Sequence, residues 1–445
     1  MATKLWQKSY STEKRIEQFT VGRDAELDME LASFDVQGSL AHIEMLETIG
    51  LLEKEELKVL QAELKKIHSE ILEGNFKIEE GVEDIHSQVK MLLTARLGEV
   101  GKKIHSGRSR NDQVLVDLKL YTRSQIKTVV ENTTALTEAL LDLSEKYKGV
   151  LIPGYTHLQI AMPSSFGLWF GAYAESLVDD LQILQAAYKV ANKNPLGSAA
   201  GYGSSFPLNR TLTTELLGFD DLHYNVVYAQ MSRGKTERVV AYAIASIAST
   251  LARLAMDVCL YMNQNFGFLT FPKELTTGSS IMPHKKNPDV FELIRGKCNL
   301  LTVLPTNISA LTNNLPSGYH REMQLLKEQF FPSFKTLNDC LEMTGFMLDN
   351  VIIKEDVLND EKYQYVFSVE VVNEMVLQGT PFRDAYKKIG EDIESGSYKP
   401  KMDINHTHEG SIGNLCNDKI REQLTSVLKG FQFEKVEKAI TTLLK

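Results

Sequence analysis

The chain has 445 residues, 43% of them hydrophobic and 24% charged, enough for two or three domains around a large core and ordinary for a soluble globular protein. Lys and Arg number 49 against 58 Asp and Glu, and the net charge of −9 excludes a polycationic face for nucleic acid or anionic lipid; an anionic small ligand must meet a local cluster of cations instead. The four cysteines, Cys259, Cys298, Cys340 and Cys416, are far apart, which excludes a CxxC zinc site or a disulfide framework and fits a reducing compartment.

The first residues, MATKLWQKSYSTEK, carry neither an apolar signal core nor an Arg-rich, acid-poor transit pattern, so the expectation is a cytoplasmic protein with no membrane partner. Proline punctuates the rest of the chain, because in a helix interior it costs about 3 kcal/mol. None precedes Pro153, and none lies between Pro207 and Pro272. Leu57, Leu60, Leu64, Ile67 and Ile71 recur at three- and four-residue steps and predict an amphipathic helix that stops at Gly74.

Residues 111–148 keep helical spacing through Val114, Leu118, Tyr121, Val129, Leu136 and Leu140 without a breaker. At 1.5 Å per residue this predicts a rod of roughly 55 Å, which needs neighbours. Residues 239–262 are apolar nearly all round and rich in Ala and Ser. With Arg253 and Asp257 inside, they predict the centre of a bundle or an oligomer core rather than a membrane span. The one strand signal is Val351-Ile-Ile-Lys, so the predicted class is all-α.

Four motifs sit between these helices. HSGRSRNDQ, residues 105–113, puts Arg108, Arg110 and Asn111 at the start of the long helix, where free N–H groups and the helix dipole favour a carboxylate; an ordinary Ser/Asn/Asp cap flanked by arginines fits the same residues. GYTHLQ, residues 154–159, places Thr156 and His157 between Pro153 and Pro163, read as another helix entrance. GSAAGYGSSFPLNR, residues 197–210, has glycines but no preceding strand signal, so it is not read as a dinucleotide fingerprint. GSSIMPHKKNPD, residues 278–289, has the glycine, prolines, serines and lysines of a mobile lid that carries a hydroxyl to a carboxylated substrate. Later, His406 and His408 in HTHEGSIGN are two lone candidate ligands, too few for a metal, and read as a polar loop.

In this order the motifs resemble the argininosuccinate lyases of the fumarate-forming lyase superfamily. Adenylosuccinate lyases share a similar lid, with a His like His284, but show Thr-Ser-Ser where this chain has Gly-Arg-Ser-Arg-Asn; fumarases and aspartases usually have Gly at His284. DVQGS at 35–39, EDIH at 83–86 and LPSGYHREMQLLK at 315–327 extend the resemblance over roughly residues 28–330. Four positions depart from the pattern. Gln7-Lys8-Ser9-Tyr10 replaces Gly-Gly-Arg-Phe, Asp24 falls where a substrate-contacting serine is expected, Arg233 begins Arg-Gly-Lys rather than Arg-Asp-Phe, and Arg321 replaces a lysine.

The resemblance implies anti β-elimination of argininosuccinate to fumarate and arginine without cofactor or metal. It implies Ser279 as base, with Lys285 holding the oxyanion, and Lys285, Asn287, Asn111 and Thr156, beside Arg110, holding the succinyl carboxylates. His157, oriented by Glu292, is one candidate to protonate the leaving nitrogen, another group being the alternative. Tyr319, Gln324 and Lys327 are implied to grip the arginine end, with Asp28 near its cationic groups. The implied architecture is three helical domains (1–108, 109–355 and 356–445), with five long central helices per subunit building a twenty-helix core in a homotetramer whose active sites draw on several chains. Two alternatives stand beside it. An adenylosuccinate-type lyase would need a ribotide phosphate site, and a crystallin-like structural derivative sits badly with intact His157, Ser279 and Lys285.

Overall fold

A computed structural model describes residues 13–445, so the 7–10 departure lies outside the described residues. The expected helices form with small shifts. The helix predicted from Leu57 to Ile71 runs Lys54–Leu72, opened by a Glu53/Glu56 capping box and ended near Gly74, whose φ of +73° suits glycine. The rod is Arg110–Lys146, 37 residues, and its start is fixed chemically: Ser109 Oγ accepts from Asn111 N at 3.2 Å while Asp112 Oδ1 accepts from Ser109 N at 2.8 Å.

Around this rod the bundle closes. Arg110–Lys146 packs on Phe166–Ala191, which packs on Lys235–Met262, and Leu326–Asp349 returns against the rod. The fifth member is broken into Asp289–Leu301 and Leu304–Thr312, with Pro305 in the first turn of the second piece. Lys235–Met262 is long and apolar enough to span a bilayer, yet it packs against Phe166–Ala191, Leu326–Asp349 and both pieces of the broken fifth member. Its outward face still exposes Tyr242 and Met256.

Strands are few and short. Leu269–Thr270 pairs with Ile352–Ile353, as the Val351-Ile-Ile-Lys run predicts. The GYTHLQ segment is a correction: rather than a helix entrance it is the tip of an antiparallel hairpin, Leu151–Thr156 with Gln159–Ser165, and the helix begins only after Ser165, whose Oγ accepts from Leu168 N at 3.1 Å. The glycine-rich segment is also corrected in detail, because a two-residue strand, Lys193–Asn194, does precede it. No helix follows until Arg210, and its amides serve another purpose: Gly197 N and Ala199 N donate to Asp112 Oδ2 at 2.9 and 3.0 Å, docking the loop on the cap of the rod.

One continuous core runs from Leu27 to Leu443, so helices Asn417–Lys429 and Phe433–Leu444 fold back onto the main body. Among the described residues, only Val372, Ala385 and Ile389 form a separate small cluster, between Ser368–Leu377 and Phe382–Glu394. In the HTHEGSIGN loop His406 Nε2 lies 3.1 Å from Glu370 Oε1 and His408 turns to the Glu409 carbonyl, so the two rings have separate polar partners.

Candidate active site

A cleft of about 100 Å³ opens where the N-terminus of the rod meets three other segments. Arg110, Asn111 and Val114 come from the first turns of the rod, Asp24 and Asp28 from the short helix Asp24–Asp28, and Asp84 and His86 from the entrance of helix Ile85–Leu97. Tyr319, Arg321 and Gln324 come from the turn and 3₁₀ segment leading into Leu326–Asp349, Lys327 from the first turn of that helix, and Arg233 from the turn before Lys235. The structure thus brings Asp28, Arg110, Asn111, Tyr319, Gln324 and Lys327 into one cleft, although they span some three hundred positions of sequence.

Charge organises this cleft. Lys327 Nζ lies 2.5 Å from Asp28 Oδ1 and 2.5 Å from Asp24 Oδ1, all three side chains being buried. Burial raises the Asp24 carboxyl above its usual range despite Lys327. Arg110 Nε meets Asp84 Oδ2 at 2.5 Å and its Nη1 meets Glu83 Oε1 at 3.2 Å, and Arg321 Nη2 shares Glu83 at 2.7 Å. Burial opposes ionisation of Glu83, but the two guanidiniums outweigh it and hold the carboxyl below its ordinary value. Arg321 Nη2 and Gln324 Nε2 both donate to the Thr20 carbonyl, at 2.8 and 2.9 Å, and pull the N-terminal segment over the cleft.

Beneath the cleft lies a polar group the sequence did not reveal as a unit. His86 Nδ1 is 2.7 Å from Asp35 Oδ1 and 3.4 Å from Asp117 Oδ2, and Gln113 Nε2 donates to Asp35 at 2.6 Å. Asp35, His86 and Asp117 are close enough to surround a cation. The nearby Arg108 already brings positive charge, and burial together with Asp35 raises the Asp117 carboxyl well above its usual range. Its signals in the sequence were the DVQGS and EDIH runs, with Asp117 one helical turn and more beyond Asn111.

The remaining predicted residues lie elsewhere. His157 and Leu158 form the two-residue turn of the hairpin, with φ of +54° and +58°, and Thr156 ends its first strand, all exposed. Among the described residues the His157 side chain has no hydrogen bond or ion pair, so Glu292, exposed on the first turn of Asp289–Leu301, does not orient it within one chain. The lid is closed at its base by Asn287 N donating to the Thr277 carbonyl at 2.8 Å, and Lys285 is exposed. Within it Ser279 Oγ accepts from the N–H groups of Ile281 and Met282 at 3.3 and 3.2 Å. Two amides aimed at a hydroxyl oxygen favour negative charge on it.

Residues 7–301 match a family described as Lyase. The argininosuccinate lyase of Bacteroides fragilis is 63% identical over 444 residues, covering 100% of this chain and 99% of that protein. The chain belongs to the argininosuccinate lyase family. A more distant member, from Thermotoga neapolitana, is 37% identical over 88% of this chain and 98% of its own length. Among solved structures, an EDDS lyase variant with bound fumarate superimposes with a TM-score of 0.78 at 20% identity, covering 98% of this chain and 95% of its own. A fumarate lyase:delta crystallin from Brucella melitensis gives 0.73 at 16% identity, covering 93% of this chain and 94% of its own. At these identities the two show that they share this chain's fold.

Proposed function

We propose that the protein cleaves argininosuccinate by anti β-elimination, releasing fumarate and L-arginine, a reaction that supplies arginine. The observation that carries this reading is the Ser279 turn, whose amides stabilise the alkoxide needed to take a weakly acidic Cβ proton. As that proton moves to Ser279, charge grows on the neighbouring carboxylate as an aci-carboxylate, where Lys285 and Asn287 stabilise it, aided by Asn111 and Thr156. The C–N bond then breaks, its electron pair stays on the guanidino nitrogen, and His157 or another group delivers a proton there. Tyr319, Gln324, Lys327 and Asp28 hold the arginine portion in the cleft, while Arg110 is anchored by Glu83 and Asp84 and shapes its wall. These steps call on no cofactor.

The site reads as one shared between subunits of a homotetramer. His157 and Ser279 stand outside the cleft, beside Leu158 at 76% and Ile281 at 82% exposure, apolar surface that a neighbouring subunit would cover. Leu293, Leu300 and Phe346 are likewise exposed on the bundle helices, in keeping with a twenty-helix core. We place the protein in the cytoplasm and keep the three-part division at 108/109 and 355/356. The test is direct: purified protein is mixed with argininosuccinate and fumarate is followed by ultraviolet absorbance. No fumarate from argininosuccinate, or turnover of adenylosuccinate in its place, refutes the reading.

A further inference from the structure

The cleft holds one cation and one carboxylate of opposite charge, Arg233 and Asp24, that attract one another without forming an ion pair. Arg110 and Arg321 are each satisfied by Glu83, and Arg110 by Asp84 as well. Arg233 is not. It is 5% exposed, its Nη2 donates to the Met323 carbonyl at 3.1 Å, and its guanidinium carbon lies 5.5 Å from the centre of the Tyr319 ring. Its Nε is buried with no hydrogen-bond partner, and among the described residues no carboxylate forms an ion pair with it. The buried carboxylates of Asp24 and Glu237 act on it only at longer range, so a ligand carboxylate would supply the direct contact it lacks. Its backbone is fixed: Gly234 follows at φ +80°, a Cβ there would meet Thr312 Cγ2 at 2.6 Å, and Gly234 N donates to Glu237 Oε2 at 2.7 Å. Lys327 faces two buried carboxylates, Asp24 and Asp28, so Asp24 shares its only ion-pair cation with a second acid.

We propose that Arg233 and Asp24 form a receptor for the zwitterionic head of the arginine portion of the substrate, Arg233 taking the α-carboxylate and Asp24, beside Asp28, the α-ammonium. The inference rests on the reading of the site under Proposed function and goes beyond it by naming two specificity-determining residues. A planar guanidinium suits a carboxylate, which it can bind through two parallel N–H groups. Asp24 and Asp28 are offset by Lys327 and Arg233 together, so a zwitterion set between Arg233 and Asp24 gives each a direct partner and leaves the net charge of the group unchanged. A ligand lacking either charge leaves one of these buried groups unpaired, the situation in which binding sites discriminate most sharply.

The elimination run backwards gives the test, with the full chain joining fumarate to L-arginine, to agmatine, which lacks the carboxylate, or to 5-guanidinopentanoic acid, which lacks the amine. The wild-type protein should prefer arginine to each analogue by at least about tenfold in kcat/KM. Arg233→Gln should shrink the arginine-to-agmatine ratio about 10- to 100-fold and leave the arginine-to-guanidinopentanoate ratio, whereas Asp24→Asn should do the reverse. Arg233→Lys, which keeps the charge without the planar fork, should retain part of the first ratio and serves if the Gln variant does not fold by circular dichroism. Wild-type protein that accepts agmatine as readily as arginine overturns the receptor, as do ratios that neither Arg233 variant nor Asp24→Asn moves. A wild-type protein that couples none of the three to fumarate overturns the lyase reading itself, and the receptor with it.

Discussion

The cleft and the lid-plus-hairpin pair are two halves of one proposed site built in opposite ways. In the cleft the charged side chains are buried and interlocked: Lys327 with Asp24 and Asp28, Arg110 with Glu83 and Asp84. In the lid and hairpin, His157 and Lys285 are exposed and Ser279 meets only amides of its own loop. A binding surface can be preorganised at a cost in desolvation that its ion pairs offset, whereas the proton-transfer groups stand where a neighbouring subunit and the substrate can complete their surroundings. Changes in the cleft should therefore cost stability as well as function, and changes in the lid should cost function alone.

The largest expected effect is on turnover. Ser279→Ala and His157→Asn should each lower kcat by about 10²–10⁴-fold, the base more than the acid, while melting temperature and oligomer size stay unchanged. Turnover near wild type in Ser279→Ala would remove serine from the base role. Mixing the two inactive variants, dissociating and reassociating them, should restore up to roughly a quarter of wild-type activity if each site takes these residues from different chains. Mixed tetramers, seen by mass spectrometry, without recovered activity would put both residues on one chain.

Lys327→Met against Lys285→Met sharpens the contrast. Removing Lys327 strands Asp24 and Asp28 in a buried position, and urea denaturation should show a loss of about 3–5 kcal/mol. Lys285→Met removes an exposed cation, so stability should hold within about 0.5 kcal/mol while kcat and kcat/KM both fall. Equal stability losses in the two variants would erase the distinction between the halves.

The smallest effect concerns protons. Burial pushes His223 down to about 3 and His105, also beside Arg108, to about 4, and holds His42 well below 6.5. The neutral rings are favoured in the folded state, so their contribution is complete above the ordinary value of 6.5 and is lost as pH falls toward the folded values. By pH 5 His223 alone should remove about 2 kcal/mol, and His223→Gln should flatten that part of the stability profile measured from pH 7 to 5.

Local signals in the sequence determined the helices. Uninterrupted 3.6-residue periodicity set the rod and the Ser109 cap its beginning, because each acts within a few residues of itself; proline was a weaker guide, since Pro332 lies inside the bundle helix Leu326–Asp349. The order of the motifs also determined the family, and with it six residues that meet in the cleft. Only the tertiary structure decided the rest. The hairpin at 151–165 carries Pro153 and Pro163 opposite one another and no Asn-Gly or Asp-Gly turn, so nothing local announced it. The Asp35, His86 and Asp117 group, the second carboxylate on Lys327 and the Arg233 guanidinium without an ion pair are sums over segments far apart in sequence. A charge is visible in a sequence, but whether another residue already neutralises it depends on which distant segment packs beside it.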